Sequence, residues 1–149
     1  MTATAAEPAF DVPVPASHLD LLDRPVVGVL TTMLPDGQPQ SSLVWADYDG
    51  SCARVNTTLE RRKGRNLIAD PRVSLLVVDP DDTSRFVAIR GTAELVTEGA
   101  EVHLDEITRR YTRHPGYYGH VYPAEHRDRD TRVIVRIHAR RVTLDAIHR

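Results

Sequence analysis

The sequence predicts a mainly β domain: six to seven short, mostly antiparallel strands closing a small barrel, with two or three short helices. Three observations predict it. Short runs rich in apolar and β-branched residues recur along the chain, several of them alternating with period two. Asp36-Gly37 and Asp49-Gly50 stand between such runs, where a tight reversal needs positive φ. An open sheet of this many strands would leave unpaired edges, which closure removes.

Taken in order, residues 1–16 are rich in Ala and Pro and read as a flexible or draped N-terminal arm; residues 17–149 form a single domain. Ser17 is a candidate cap for a short helix carrying Leu19 and Leu22, which ends before Pro25. Val26 to Met33 is a buried strand. Pro35-Asp36-Gly37 turns the chain into a second strand, Gln38 to Tyr48, and Asp49-Gly50 into a third, Ser51 to Thr57. These three read as an antiparallel meander. A basic helix over Glu60 to Ala69 is stopped by Asp70-Pro71. Val73 to Asp79 is a buried strand. Arg85 to Val96 alternates cleanly, and Gly91 in its middle predicts a bulge or bend. Glu98 to Arg113 is an amphipathic helix, acidic early and arginine-rich late, as the macrodipole favours. A polar loop over 114–131 leads to the last strand, Arg132 to Leu144.

Composition narrows the function. A net charge of −2 carries no basic excess for a nucleic acid, so no nucleic-acid partner is expected. No apolar run approaches the roughly 20 residues that span a bilayer, and no basic-then-apolar leader opens the chain. No membrane association and a cytoplasmic location are the expectation. Cys52 is the single cysteine, which excludes an intrachain disulfide and fits a reducing compartment.

Chemistry concentrates between two strands, at Glu60-Arg61-Arg62-Lys63-Gly64-Arg65-Asn66. Four cations occupy five positions, and Lys63 is the only lysine in the chain. Arginine forks and a lysine point charge beside a helix N-terminus suit a phosphate or similar anion. A solvated helix face is the competing reading. In the acidic whole, the local cluster favours a small anionic ligand over a polymer.

Three segments carry a resemblance: P-D-G-Q-P-Q-S-S-L-V-W, then R-R-K-G-R-N-L-I-A-D-P-R-V-S-L-L-V, then R-G-T-A-E-L. Over about Leu19 to Leu144 the chain resembles the pyridoxamine 5'-phosphate oxidase-like split β-barrel superfamily, and most of all its actinobacterial branch of deazaflavin (coenzyme F420)-dependent reductases. The resemblance implies a homodimer with cofactor grooves between protomers. It implies phosphate held by Arg61, Lys63 and nearby Arg62 or Arg65, and a ring lying against Ser41, Ser42, Val44 and Trp45 on one strand and Val55, Asn56, Thr57 and Thr58 on another. Leu76, Val77 and Val78 would close the ring's edge, with Arg85, Phe86 and residues of the C-terminal strand supplied by the second subunit. The implied reaction is hydride transfer from reduced F420 to an unsaturated small-molecule substrate; the alternatives are an FMN-dependent oxidoreductase on the same barrel and a non-enzymatic binder of a flavin or haem-like ligand. With Trp45 the only tryptophan, the C-terminal end lacks the tryptophan-rich substrate segment of true pyridoxamine phosphate oxidases. No catalytic triad is expected, because the cofactor carries the chemistry. The proton would come from solvent or from a nearby donor such as His138, Arg85 or a tyrosine of the 111–122 region.

Other signals read as structural. His114, His120 and His126 with Glu125 and Asp128 fit no tight metal-ligand spacing, so no metal is expected. Cys52 reads as a small core hydrophobe.

Overall fold

The structure is a computed structural model and describes residues 11–145. The strands are β1 (Gly28–Met33), β2 (Pro39–Val44), β3 (Ala46–Tyr48), β4 (Ala53–Thr58), β5 (Arg72–Val78), β6 (Phe86–Val96) and β7 (Arg132–Leu144). The helices are α1 (Asp20–Asp23), α2 (Arg62–Ala69) and α3 (Ala100–Tyr111), with 3-10 turns at Ala16–His18 and Ala124–Asp128. All seven strands join one antiparallel sheet in the order β2-β1-β5-β6-β7-β4-β3.

That order explains the curl. β2 and β3 are the two edges of the sheet, yet Trp45 alone separates them in the chain. One residue cannot span a flat seven-stranded sheet, whose neighbours lie about 4.8 Å apart. The sheet therefore rolls until its edges meet at Trp45. This corrects the expected meander: Gln38 to Tyr48 is two strands, one paired to β1 and the other to β4. Alternation is the same for a strand that keeps its neighbour and one that changes it, so periodicity did not reveal the break.

Inward positions fill the barrel. Val55, Leu75, Val77, Val87, Val135 and Ile137 are fully enclosed and belong to one core with Leu21, Leu22 and Leu30. Each such side chain contributes about 1.5–3 kcal/mol on burial. The bulge expected at Gly91 is present: Arg90 pairs with Arg141 and Gly91 with Ala139, leaving Arg140 as the extra residue. A Cβ on Gly91 would lie 1.9 Å from the His138 carbonyl oxygen, so only glycine allows the close approach.

Of the expected arm, residues 1–10 lie outside the described residues, whereas 11–16 are seated on the barrel. Val12 N donates to Ala139 O at 3.0 Å, Val14 enters the core, and Asp11 takes Arg140 at 3.0 Å and His138 at 2.8 Å. The Cys52 thiol donates to Asp11 at 3.2 Å; burial, then that carboxylate, pushes its pKa up to about 12. Ser17 caps no helix, its hydroxyl bonding the His18 ring instead.

Candidate functional site

A cavity of about 350 Å³ opens beside the N-terminus of α2, within the size range of small-ligand sites. Its walls come from seven regions. Val27 lies just before β1, and Leu43, Val44 and Trp45 form the β2 to β3 crossing. Leu104 and Ile107 come from α3, Tyr117 and Val121 from the loop after it, and Asn56, Arg61, Lys63 and Arg132 complete the lining.

α2 is placed by contact. A Cβ on Gly64 would lie 2.0 Å from Thr58 O, so the glycine lets the helix start press against the end of β4. Asn66, enclosed on the inner face, donates to Thr32 Oγ1 at 3.0 Å and Gln40 Oε1 at 3.1 Å. With α2 fixed at both points, helical rotation sorts the basic cluster. Arg61 and Lys63 reach the cavity, while Arg62 and Arg65 face outward and are exposed.

A third cation completes the group. Arg132, the first residue of β7, is 6% exposed. Its Nε donates to Asn56 Oδ1 at 3.0 Å, and its guanidinium lies 5.2 Å from the Tyr117 ring centroid. Arg61 Nη2 donates to Tyr117 Oη at 3.3 Å, and its guanidinium lies 5.5 Å from the Tyr122 ring centroid. Among the described residues, no carboxylate pairs with Arg61, Lys63 or Arg132. The ion pairs among the described residues lie elsewhere. The consequence is visible on Lys63: burial first, then Arg61 and Arg132, push its ammonium below the usual lysine range. Asp130 acts on Arg61 only from a distance and reaches Arg132 only through the Tyr118 hydroxyl, so the three convergent cations have no carboxylate in direct contact among the described residues, and an anion fits as their direct partner.

Of the residues singled out in the sequence, Val44, Trp45, Asn56, Arg61 and Lys63 meet at this cavity. The others lie elsewhere in the protomer. Ser41 and Ser42 lie further along β2, with Ser41 Oγ 2.9 Å from Thr31 Oγ1. Val55 and Val77 are sealed in the core and Val78 is partly exposed at the end of β5. The hydroxyls of Thr57 and Thr58 are committed inward: Thr57 Oγ1 is enclosed without a partner, and Thr58 Oγ1 accepts the Arg61 N–H at 3.0 Å. Arg85 binds Asp20 and Asp79. His138 lies between Asp11 and Glu94, and His114 and His120 are exposed loop residues. Arg132, Leu104, Ile107 and Val121 were not singled out as site residues, and Tyr117 only as one of the tyrosines of the 111–122 region. A buried arginine at a strand start looks like any outward strand position in sequence.

Outside the cavity, the sheet carries an uncovered apolar row. Val29 pairs with Leu43 on β2 and Leu76 on β5; Leu43 is 74% exposed. Leu43 also belongs to the cavity wall, so the row runs into its mouth. Among the described residues no helix is long and apolar enough to cross a membrane.

Comparison with known proteins gives the grouping. A family model described as pyridoxamine 5'-phosphate oxidase matches residues 14–144. A solved structure named F420 reductase is 34% identical, with 87% of this chain and 98% of that chain covered and a TM-score of 0.73. A conserved hypothetical protein from Mycobacterium tuberculosis is also 34% identical, over 95% of this chain and 89% of that one, with a TM-score of 0.69. General Stress Protein 26 from Bacillus anthracis, 16% identical over 85% and 88% with a TM-score of 0.61, shares the fold. With nearly every described residue inside the match, the chain belongs to the pyridoxamine 5'-phosphate oxidase family of split β-barrels, on the branch that holds the F420 reductase.

Proposed function

We propose that this protein is an F420-dependent reductase that passes a hydride from the reduced deazaflavin to an unsaturated small molecule. The observation that carries the reading is the trio Arg61, Lys63 and Arg132 at the edge of an apolar cavity, without carboxylate partners among the described residues. The residues fit the cofactor in kind: cations for its phosphodiester and anionic tail, and Val44, Trp45, Leu104 and Ile107 for a flat ring. The 34% identical F420 reductase supports the same choice.

When bound, the deazaflavin supplies the hydride. The chain does the rest. Arg61, Lys63 and Arg132 hold the anion. Trp45, Leu104, Ile107 and Val121 exclude water from the reacting face. Of the proton donors anticipated from sequence, Tyr117 lines the cavity, and its Oη carries the bond from Arg61. We assign it the proton that follows the hydride. His138 and Arg85 line no part of this cavity.

The reading includes a homodimer. The row Leu43, Val29 and Leu76 is apolar, uncovered and continuous with the cavity mouth, so a second copy seated there would enclose the ligand. Leu43→Lys should then shift the sedimenting species from dimer to monomer.

The test is a fluorescence titration of the purified protein with F420 and, in parallel, FMN. Micromolar or tighter F420 binding with weak FMN binding is expected. The reverse preference would move the assignment to FMN chemistry on the same barrel, which the family description also accommodates. Binding of neither would sink both.

A further inference from the structure

The anion site rests on a buried polar chain that the proposed reaction does not use. Arg54 forks onto Asp47, Nε to Oδ1 at 2.9 Å and Nη2 to Oδ2 at 2.8 Å. His103 Nε2 lies 3.1 Å from Asp47 Oδ2, and His103 Nδ1 lies 3.0 Å from Asn56 Nδ2. Asn56 Nδ2 also donates to Ala100 O at 2.8 Å, while Asn56 Oδ1 accepts from Arg132 Nε at 3.0 Å. Four elements contribute: β3, β4, α3 and β7. Both Asp47 and His103 are almost fully enclosed.

The proton arrangement follows by elimination. A backbone carbonyl only accepts, so the Asn56 atom facing Ala100 O is the nitrogen. Arginine Nε only donates, so the atom facing Arg132 is the oxygen. Two independent ends thus give one amide orientation. Both amide hydrogens are then spent, on Ala100 O and on His103 Nδ1, so Nδ1 must present a lone pair. His103 therefore carries its hydrogen on Nε2, where the Asp47 carboxylate receives it. Burial opposes the Asp47 charge, but hydrogen bonds from His103 and Arg54 outweigh it and hold the carboxyl below its ordinary value.

We infer that Asp47 and His103 are positioning residues of the anion site, holding the Asn56 amide so that its oxygen fixes the Arg132 guanidinium at the cavity wall. The inference rests on the proposed function for the identity of the anion, but not for the geometry. A His103 with hydrogen on Nδ1 would set donor against donor and invite the amide to turn over. Its nitrogen would then face Arg132, and the arginine would lose its 3.0 Å anchor on Asn56 and keep only the longer 3.5 Å bond to the Tyr118 hydroxyl. Without such an anchor, a long side chain gives back rotamer freedom each time it binds.

Two experiments decide it. The first is two-bond ¹H–¹⁵N spectroscopy of the intact, ligand-free protein. The Nε2–H tautomer of His103, with a slowly exchanging Arg132 Nε–H, is expected; the Nδ1–H tautomer or a fast-exchanging Arg132 overturns the inference. The second compares His103→Leu with the unaltered protein on two probes, F420 and its chromophore lacking the phosphate. Affinity for F420 should fall roughly tenfold, the scale of one hydrogen bond to a charged group. The phosphate-free chromophore should change by less than about twofold, since it makes no such bond. Equal losses on both probes, or none on either, overturn it. If the unaltered protein binds neither probe, the reductase reading fails, and the spectra still decide the positioning claim. They also decide it if His103→Leu does not fold.

Discussion

Arg132→Met separates a ligand-binding arginine from a structural one, because the two roles predict opposite results. Arg132 is 6% exposed, and no carboxylate among the described residues pairs with it. Burying an ion costs several kcal/mol even after relaxation. Its compensations are hydrogen bonds, a charged one to Asn56 at 3.0 Å and a longer one to the Tyr118 hydroxyl at 3.5 Å, and the contacts with the Tyr117 and Tyr118 rings. These contribute about 1.5–3 kcal/mol for the Asn56 bond and about 2 kcal/mol for a desolvated cation–π contact. Methionine removes the desolvation cost and both compensations together, leaving Asn56 Oδ1 short of one donor. The stability of the ligand-free protein should therefore move by no more than about 2 kcal/mol, in either direction. Binding should behave differently. Each charge-assisted bond to an anion is worth about 1.5–3 kcal/mol, so F420 affinity should fall roughly 10- to 100-fold. The assay is urea unfolding of the ligand-free variant beside a fluorescence titration with F420. A folded variant with unchanged affinity would refute the anion assignment. A stability loss above about 4 kcal/mol would refute the absence of a partner, since breaking an existing buried pair costs that much.

Four further outcomes are expected. Arg61→Ala combined with Lys63→Ala should weaken F420 binding well over tenfold, while Arg62→Ala with Arg65→Ala should change it by less than about threefold, because those two side chains point to solvent; parallel titrations check this. Tyr117→Phe should lower kcat more than KM if its hydroxyl delivers the proton, and steady-state kinetics over pH would show it. Gly64→Ala should lower stability by about 1–3 kcal/mol or more, since its Cβ meets Thr58 O at 2.0 Å; a melting temperature like that of the unaltered protein would contradict the packing.

The fourth concerns pH and the seated arm. The Glu94 hydrogen bond first, and Asp11 after it, raise His138 above its ordinary 6.5; His138 in turn holds Glu94 below 4.5. Asp11 lies below 3.8 because His138, Cys52 and Arg140 outweigh its burial. The His138 contribution is complete below 6.5 and is lost as pH rises through its raised value; the carboxylate contributions are complete above 3.8 and 4.5 and are lost as pH falls through their lowered values. Thermal stability from this cluster should plateau between pH 4.5 and 6.5, and His138→Ala should flatten both limbs.

Local physics was legible in the sequence. Period-two alternation located the strands, Asp36-Gly37 and Asp49-Gly50 their reversals, and Gly91 the bulge, because each depends on a few neighbouring residues. The basic run marked one wall of the candidate site for the same reason. Only the tertiary structure decided which cations converge. Arg61 and Lys63 are sorted from Arg62 and Arg65 by the docking of α2 through Gly64 and Asn66. Arg132 joins them from 76 residues beyond Asn56. Trp45 becomes both closure point and cavity wall because the strands on either side of it bind partners at opposite ends of the sheet. Pairing between distant strands leaves no trace in a local pattern, so what the chain carries in its sequence is the set of surfaces, and the rolling of the sheet selects which of them face one another.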